Sequence, residues 1–512
     1  MSTQVLIAGA GPTGLMLALR LVRHGIRLRI IDKAAGPGLA SRAMAVHART
    51  LEFYRQMGCA DEIVAQGIKI QALHLRERGQ EVALLPFQDI GAGLSPYPFV
   101  LAYPQDDHER FLVKQLQMLG IEVEWNTALS TFSQDKQGVH ALLDSGGIES
   151  FCDADYLCGC DGARSRVRDT LQLNFPGGTY EHLYYVADVK TGGPPNTDLI
   201  GHLGEHTFAL MLPVRSSGMQ RLIGIMPEAA DNKPDPGFED VRPIVEPLLG
   251  IRVEEVNWFS TYRVHHRVAP LFRIGRSFIA GDAAHIHSPA GGQGMNTGIG
   301  DAVNLSWKIA HVLQGRAAPA LLDSYEAERI VFARKLVATT DRVFQLVVSE
   351  GAGGQLVRHW LLPHVFPFLT GFAAARRAMF KTLSQVQINY EQSVLSAGRA
   401  GEILGGDRLP WVRDTNHDNF DPLQSMDWQL HVYGTSSASL EAEADALGLP
   451  LHSFGWNETA EHAGLLRDAA YLIRPDGYVA LALPRQESGS LPDYAARFGL
   501  RFGHGALQQD PA

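Results

Sequence analysis

Glycines at a fixed spacing near the start of the chain could bring the backbone against a charged ligand. Gly9, Gly11 and Gly14 form a GxGxxG pattern, and Asp32 stands a short distance downstream. In a dinucleotide-binding turn the first glycine permits the tight turn, the second lets the backbone approach a pyrophosphate, and the third lets helix and strand pack closely. The acid accepts hydrogen bonds from ribose hydroxyls. A glycine turn without a ligand is the alternative for an isolated motif.

A second cluster combines a glycine with several cations. Asp161 and Gly162 are followed by Arg164, Arg166 and Arg168. Guanidinium groups suit phosphate recognition because their donors form a planar fork. The alternative for Arg166 and Arg168 is an ordinary solvated face, whereas Arg164 lies inside the motif.

A third cluster is the richest in glycine. It runs from Gly281-Asp282 past His285 and Pro289 to a loop at residues 291–296. Glycine-rich backbone between a β-like run and a helix is typical of chain that lies against a flat or charged ligand. Part of the high glycine content, 52 of 512 residues, is therefore explained by a binding function.

Strands and helices that flank these clusters must position them. The first 35 residues predict a strand at Gln4–Ala8, a helix at Gly14–His24 and a strand at Leu28–Ile31, which together form a βαβ unit. Further strands and strand-like runs are predicted at Tyr156–Cys158, Leu183–Val189, His206–Val214, Arg221–Met226 and Ser277–Ala280, and the last of these leads through the third cluster into a helix containing Asn304, Leu305 and Lys308.

Composition excludes several classes of protein. With 45% apolar and 20% charged residues the chain is globular, and 512 residues suggest three to four domains at ~150 residues each. A net charge of -10 argues against general binding to nucleic acid or anionic membranes. The apolar run at Leu356–Phe372 contains arginine, histidines and prolines, so it is not expected to cross a membrane.

Cysteine usage and the N-terminal pattern indicate the compartment. The four cysteines, Cys59, Cys152, Cys158 and Cys160, include no CxxC pair, which argues against a disulfide scaffold, a structural metal and a dithiol redox centre. No metal site is expected. The run at 5–8 leads directly into glycines and is typical of a strand rather than a signal peptide, so a cytoplasmic enzyme is expected.

Taken together, the three clusters resemble those of the class A flavoprotein aromatic hydroxylases. These are single-component FAD monooxygenases related to para-hydroxybenzoate hydroxylase, and the chain is most similar to their phenol hydroxylase-type branch. The GxGxxG, the DG pair at 161–162 with Arg164, the GD pair at 281–282 with Pro289 and the 291–296 loop occur in family order. Smaller matches are Ser41-Arg42, residues 49–52, Gln105 with Glu109-Arg110, residues 406–410 and residues 474–479. Asp32 departs from the family, which usually has Glu there.

The resemblance implies an α/β fold in which a Rossmann-like FAD-binding domain is interleaved with a β-rich substrate domain. Residues 1–70, 100–180 and 265–345 would form the FAD-binding domain, and 71–99 with 181–264 the substrate domain. A helical connector at 346–395 would lead to a thioredoxin-like α/β domain at 396–512. Since all four cysteines precede it, that domain cannot carry out dithiol chemistry.

The implied activity is hydroxylation of a phenolic or polycyclic aromatic substrate. FAD, reduced by NADPH or NADH acting as a transient co-substrate, would react with dioxygen to give a C4a-hydroperoxide that attacks the ring. A homodimer is possible within the branch. The alternatives are Baeyer-Villiger or antibiotic-modifying oxygenation on the same scaffold, a non-catalytic flavin-binding protein, and an NAD-dependent dehydrogenase that would leave the second and third clusters unexplained.

The resemblance also assigns site residues. Asp282 would bond the ribityl chain, Gln105 and Arg42 would contact the cofactor from the other side, and the 291–296 loop would point a helix N-terminus at the flavin N1/C2=O edge. The expected cofactor-binding residues are Gly9, Gly11, Pro12, Thr13, Gly14, Asp32, Lys33, Arg42, Gln105, Asp161, Gly162, Arg164, Gly281, Asp282, Pro289, Gly292, Gly294, Met295 and Asn296.

The sequence gives weaker indications of which residues are catalytic and which bind the substrate. Pro289, which would fix the backbone on the flavin face, and His285 are the catalytic candidates, against the alternatives of a turn proline and a structural histidine. A base that deprotonates a phenol could be His47, His265 or His285, and none is assigned. The substrate candidates are Tyr184, Phe208, Leu210, Tyr262 and His265, with Met211 and Tyr97 as further options, although such side chains usually belong to a core.

Overall fold

A computed structural model describes most of the chain, namely residues 3–38, 43–77, 80–87, 90–193, 196–203, 208–214, 218–231, 233–288, 290–348, 372–413 and 417–503. Two predicted site residues, Arg42 and Pro289, lie outside these ranges, as does the apolar run at Leu356–Phe372 apart from its last residue. Within the ranges described, no helix has the length and apolar character needed to span a bilayer.

The described residues form thirteen α-helices. They are α1 (Pro12–Arg23), α2 (Ala48–Gln56), α3 (Ala60–Gln66), α4 (Gln105–Met118), α5 (Arg166–Thr170), α6 (Glu228–Asp231), α7 (Phe238–Leu249), α8 (Gln293–Leu313), α9 (Asp323–Val348), α10 (Ala373–Leu383), α11 (Ala438–Leu447), α12 (Glu458–His462) and α13 (Ser490–Phe498). Short 3-10 turns occur at Gly281–Ala283, Ala290–Gly292, Pro319–Leu322 and Asp421–Ser425.

The strands are mostly short. They are β1 (Thr3–Ala8), β2 (Leu28–Ile31), β3 (Ala45–Val46), β4 (Ile68–Ile70), β5 (Ala72–Glu77), β6 (Gln80–Pro86), β7 (Val100–Ala102), β8 (Thr127–Gln134), β9 (Val139–Ser145), β10 (Ile148–Gly159), β11 (Gly177–Thr191), β12 (Leu199–Leu203), β13 (Phe208–Pro213), β14 (Met219–Ile225), β15 (Val253–Val268), β16 (Arg273–Ile274), β17 (Ser277–Ile279), β18 (His285–Ile286), β19 (Ala397–Ala400), β20 (Ile403–Leu404), β21 (Gln429–Tyr433), β22 (Leu451–Phe454), β23 (Ala470–Ile473) and β24 (Val479–Leu483).

The first sheet contains the predicted βαβ unit. Its main path is β16-β17-β10-β1-β2, and β10, β1, β2 and β17 run parallel. Residues 5–7 of β1 are fully buried, as expected for a strand covered on both faces. The carboxyl ends of β1, β10 and β17 meet at one edge, because Ala8 pairs with Gly159 and Gly159 with Ile279. The three glycine clusters follow these three strands and therefore leave the sheet from the same edge.

The second sheet supplies a broad surface beside the first. Its order is β18-β15-β11-β14-β13-β12-β5-β6, and all neighbours are antiparallel except β12 and β5. One face packs beneath α7, and on the other Leu210 and Ile223 pack against the core of the first sheet. The chain alternates between the two sheets, so the interleaved α/β fold class is confirmed, whereas the numerical domain boundaries stay a prediction.

A third sheet forms the C-terminal region, with order β20-β19-β24-β23-β21-β22. β21 and β22 are parallel and joined through α11, while β23 is antiparallel to both of its neighbours. This is a mixed α/β unit with its own hydrophobic clusters. Its thioredoxin-like identity stays a prediction.

Buried charges join the third sheet to the rest of the molecule. Arg474 donates to both carboxylate oxygens of Glu328 at 2.8 and 2.9 Å and to Asp476 at 2.7 Å. Arg408 forms a second bridge to Glu52, with its Nε 2.9 Å from Oε2. We call Glu52, Glu328, Arg408, Arg474 and Asp476 the ionic junction; three of the smaller sequence matches, at 49–52, 406–410 and 474–479, meet there.

Candidate active site

The GxGxxG turn has two glycines that packing requires and one that faces open space. A Cβ on Gly9, whose φ is 103°, would lie 2.2 Å from the carbonyl oxygen of Cys160. A Cβ on Gly14 would lie 2.0 Å from the carbonyl oxygen of Gly9. Around Gly11, by contrast, nothing lies within 4 Å of a Cβ. The turn therefore leaves room for a ligand at the position where a pyrophosphate is expected.

Asp32 supports this turn from the end of β2. Its Oδ2 accepts the N–H of Ala10 at 2.7 Å, and its Oδ1 accepts the N–H of Ala34 at 2.8 Å. The carboxylate is half-buried, whereas the neighbouring Lys33 is exposed. Asp32 thus shapes the turn itself, and its contact with a ribose stays a prediction, as does a ligand contact for Lys33.

Thr13 connects the first motif to the third. It follows Pro12, the first residue of α1. A Cβ on Gly281 would lie 2.5 Å from Thr13 Oγ1, and one on Gly298 would lie 2.3 Å from the same atom. The GxGxxG turn, the GD pair and α8 are therefore in close contact, which requires glycine at both positions.

The DG pair caps a helix. Asp161 Oδ2 accepts the N–H groups of Arg166 at 2.6 Å and Val167 at 3.1 Å, at the start of α5. Burial raises the pKa of this carboxyl against the opposing effect of its hydrogen bonds. Gly162 has a φ of 78° and open space around it. The nearby Arg164 is exposed, so it is free of the packing constraints that hold its neighbours.

The last arginine of this cluster has a structural role. Arg168 is buried and donates to the carbonyl oxygens of Ala163 at 2.9 Å and Ala283 at 3.1 Å, with its guanidinium 4.0 Å from the Phe175 ring centre. It therefore ties the DG loop to the GD loop. Arg166 is exposed and donates to the Ser130 carbonyl.

A buried carboxylate that the sequence argument missed lies under the GD pair. Asp301 Oδ2 accepts the N–H of Gly281 at 3.0 Å and lies 2.7 Å from His285 Nε2, while Oδ1 accepts Nε of Arg329 at 2.6 Å. The sequence signal that could have identified Asp301 is the presence of an acidic residue in a mostly apolar part of α8. Asp282 itself is exposed.

His285 has little access to a ligand in this arrangement. Its side chain is 2% exposed, and its Nε2 faces Asp301. The position favours a role in holding the loop over the predicted catalytic role. Pro289 lies outside the described residues; the preceding Ser288 donates to the Thr340 carbonyl at 3.3 Å, so the loop is anchored to α9.

Two consecutive left-handed glycines precede α8. Gly291 has a φ of 73° and Gly292 of 63°, after which the helix begins at Gln293. A Cβ on Gly294 would contact only the His287 ring, at 3.7 Å. The first turn of a helix offers N–H groups that lack partners within the helix and carries partial positive charge. This terminus can therefore stabilise negative charge on a ligand.

The side chain of Asn296 is fully engaged by protein. Its Oδ1 accepts the N–H of His47 at 2.9 Å and the Thr50 hydroxyl at 2.8 Å, and its Nδ2 donates to the carbonyls of Ala45 at 2.8 Å and Gly292 at 2.9 Å. Asn296 therefore fixes the loop, and any cofactor contact from it must come from the backbone.

Two other predicted cofactor residues also have protein partners. Met295 is buried, with its sulfur 3.3 Å from His108 Nδ1. Gln105 begins α4; its backbone N–H donates to Ala43 at 3.0 Å and its side chain to Glu109 at 2.8 Å. Both side chains are therefore held by protein partners.

His47, a candidate base, is buried beside the loop. Its Nε2 lies 3.2 Å from the carbonyl oxygen of Gly292, so this nitrogen carries the proton. Burial lowers the pKa of His47 to about 4. The ring is therefore neutral at pH 7 and is too enclosed to meet a substrate without movement.

Strand register divides the substrate candidates between the two faces of the second sheet. Tyr184 pairs with Tyr262 across β11 and β15, their ring centres 5.9 Å apart. The side chains of Tyr184, Tyr262, Phe208 and Leu210 share the face that turns toward the first sheet.

The remaining candidates lie elsewhere. Met211, a further option for substrate contact, packs in the cluster under α7, on the face opposite to Tyr184 and Leu210. Alternation along β15 also directs His265 away from Tyr262, and its Nδ1 lies 2.7 Å from the Thr179 hydroxyl. Tyr97 is buried in the main core against Phe99.

These features fit FAD. Gly11 and Gly162 leave open space at the ends of neighbouring parallel strands, and the N-terminus of α8 adds partial positive charge. A dinucleotide binds at this edge in open α/β sheets. The residues that would hold it are the backbone of 9–14, Asp32, the DG and GD loops and the first turn of α8.

Comparison with known proteins supports the same conclusion. The family model described as "FAD binding domain" matches residues 2–340. The 6-methylpretetramide 4-monooxygenase of Streptomyces rimosus is 37% identical over 414 residues, 78% of this chain and 72% of that protein. A flavin-dependent monooxygenase of Mycobacteroides abscessus is 32% identical over 96% of this chain and 99% of its own length.

A solved structure extends the likeness to the fold. The anhydrotetracycline hydroxylase OxyS from Streptomyces rimosus superposes with a TM-score of 0.79 at 28% identity, covering 98% of this chain and 100% of the other. The match therefore includes the C-terminal sheet as well as the first two. The chain therefore belongs to the FAD-binding domain family of class A flavoprotein monooxygenases.

Proposed function

We propose that the protein hydroxylates a phenolic or polycyclic aromatic compound, using FAD, dioxygen and NADPH or NADH. The main support for this proposal is the close contact of Thr13 with Gly281 and Gly298, which joins the first motif, the third motif and α8 into one site. The strand that carries Tyr262, β15, pairs through Val268 with His285 of β18, which closely follows the GD pair. The relatives named for tetracyclic compounds support a polycyclic substrate.

The chain's own residues bind and orient the cofactor. The 9–14 turn and α1 would hold the pyrophosphate, Asp32 a ribose, and Asp282, whose side chain is exposed, the ribityl chain. FAD held by these residues would supply the redox chemistry between a nicotinamide and dioxygen. The N-terminus of α8 favours the negative charge that reduction places near it.

Substrate is proposed to lie on the face that carries Tyr184, Phe208, Leu210 and Tyr262. Tyr184 is buried and Tyr262 half-buried, and their rings are tilted by 34°, so the pair gives an aromatic wall beside which a substrate ring would pack, mainly against Tyr262. Leu210 and Phe208 continue the wall along β13. A substrate held between this face and the first sheet would be shielded from water, which protects the reacting groups.

One experiment tests the proposal directly. The purified protein should bind FAD and turn yellow, and a panel of phenols and polycyclic aromatic polyketides should include compounds that accelerate NADH or NADPH oxidation. With isotopically labelled dioxygen the product should gain one labelled oxygen on a ring carbon. Insertion beside a carbonyl would instead indicate Baeyer-Villiger chemistry, and an intact flavin whose nicotinamide oxidation ignores every compound would indicate a non-catalytic flavin-binding protein.

We also propose the domain boundaries, a cytoplasmic location and a homodimeric state. The domain boundaries given above, with 396–512 as a thioredoxin-like unit, are supported by the separate third sheet and its parallel β21–β22 pair. Limited proteolysis followed by mass analysis would locate the boundaries. Cell fractionation would test a cytoplasmic location, and light scattering would test the homodimer.

A further inference from the structure

We propose that Asp301 is a positioning residue for the cofactor, acting through the GD loop. Its carboxylate, which belongs to α8, holds both ends of residues 281–285 and thereby sets the affinity for FAD and the environment of the bound flavin. This inference rests on the proposed flavin function, because it gives a role in that site to a residue that would not touch the ligand.

The hydrogen bonds define the arrangement. Gly281 donates its N–H to Oδ2 from the start of the loop, at 3.0 Å, and His285 Nε2 lies 2.7 Å from the same oxygen at the end of the loop. Arg329 occupies the other oxygen at 2.6 Å. The side chains of Asp301, His285 and Arg329 are each no more than 2% exposed, so water does not compete for these contacts.

Both oxygens of Asp301 act as acceptors in this geometry. Gly281 N–H donates to Oδ2 and Arg329 Nε donates to Oδ1, so an amide in this place would turn its own hydrogens toward one of these donors. Although burial favours the neutral acid, the charge of Arg329 and the contacts from His285 hold the pKa of Asp301 at about 2. The carboxylate is therefore charged throughout the physiological range.

The same residue transmits its position to the GxGxxG turn. Gly281 has a φ of 61° and no room for a Cβ, because Thr13 lies against it. If Gly281 loses its partner on α8, the loop can shift and the contact with Thr13 opens. Asp282 is then displaced too, since it directly follows Gly281.

Arg329 is anchored independently of Asp301. It also donates to the Thr297 carbonyl at 3.1 Å and to the Tyr390 hydroxyl at 3.0 Å. Loss of the carboxylate therefore leaves the guanidinium held by two partners, and the change is concentrated on Gly281 and His285.

The test compares Asp301→Asn with a matched variant at the other end of α8. Asp427 is a largely buried carboxylate that accepts two bonds from Arg316, each 2.8 Å long, beyond the C-terminus of the helix. We expect Asp301→Asn to raise the Kd of the apoprotein for FAD about tenfold or more, since bonds to a charged group are lost. The visible circular dichroism of its bound flavin should change. Asp427→Asn should lower the unfolding midpoint but leave both flavin properties unchanged.

A wild-type Kd and flavin spectrum in Asp301→Asn would overturn the proposal, as would equal changes in both variants. Should Asp301→Asn fail to fold, His285→Phe decides, because it keeps a ring but removes the nitrogen that contacts Asp301, while the Arg329 ion pair stays; unchanged FAD affinity there overturns the proposal and weaker affinity supports it. FAD titration needs no substrate, so failure of hydroxylation and failure of this inference are distinguishable.

Discussion

Asn296 shows how much one side chain can organise in this site. Its amide contacts the 43–50 segment and the loop before α8 with all four bonds made to protein, and it is 1% exposed. A buried amide with every bond made cannot exchange with a ligand without leaving partners unsatisfied. Its place in the motif was predictable, but its partners, some 250 positions away, were not.

We expect Asn296→Asp to destabilise the protein by about 1–3 kcal/mol. The carboxylate would keep the two acceptor bonds but would face the carbonyls of Ala45 and Gly292, which lose their donor. Urea unfolding measures the change. Gln314→Ala, near the other end of α8, serves as the control and should stay within about 0.5 kcal/mol of wild type; an unaffected Asn296→Asp would contradict the geometry.

Gly11 and Gly298 should respond to alanine in opposite ways. Gly11→Ala places a Cβ in open space, so apoprotein stability should be unchanged while FAD affinity falls, because the methyl occupies the ligand's position. Gly298→Ala forces Thr13 to move and should lower both. Calorimetry of the apoprotein and FAD titration separate the two effects. Gly237→Ala, at an open position before α7, should leave FAD affinity unchanged.

Strands of the second sheet carry different functions on their two faces. Leu210 turns toward the first sheet, whereas its neighbour Met211 is buried under α7. We expect Leu210→Ala, at a partly buried side chain, to raise KM or change the site of hydroxylation and to cost less stability than truncation of the fully packed Met211. Met211→Ala should cost about 2–5 kcal/mol of stability and leave KM unchanged. Steady-state kinetics and urea unfolding of both variants provide the measurement, and equal kinetic effects would contradict the proposed substrate face.

Local patterns predicted the elements well and the pairings poorly. The βαβ unit and the long helix after the third cluster follow from glycine spacing and apolar periodicity, which act over a few residues. The face on which Met211 or His265 lies depends on register between distant strands, and β11 has irregularities at Thr179/Leu183 that composition does not reveal. Asp301 was missed for the same reason, since only the folded chain brings Gly281, His285 and Arg329 around it.

At the scale of the whole molecule, the ionic junction should be a major determinant of stability. Replacing Arg474 by Met would remove the guanidinium from two buried carboxylates and leave Lys308 as the cation paired with Glu328, at a cost of about 3–5 kcal/mol. Arg399→Met, at an exposed position in the same region, should change stability by less than about 0.5 kcal/mol. Thermal and urea unfolding distinguish them; similar midpoints for the two variants would contradict this account.

Buried histidines should make the protein sensitive to mild acid. Burial lowers the pKa of His47 to about 4, of His108 to about 3 and of His431 well below its usual range. The unfolded chain binds protons at these sites below pH 6.5 while the folded chain does not, so stability falls as pH drops from 6.5 toward 4, by on the order of 3 kcal/mol for His47.

Urea midpoints at pH 7, 6 and 5 measure this slope. His47→Gln should reduce it, whereas His417→Gln, at an 86% exposed site, should not. A midpoint that does not change between pH 7 and pH 5 would contradict the prediction.

The parallel pairing of β1 with β10 and of β10 with β17 has a consequence for synthesis. Thr3 pairs with Ala154, and Leu157 with Ser277, so the first sheet cannot close until more than half of the chain has left the ribosome. Such non-local pairing gives a high contact order, which slows folding and leaves strand edges exposed in the nascent chain. We therefore expect slow refolding from urea, and aggregation of fragments that end before β17.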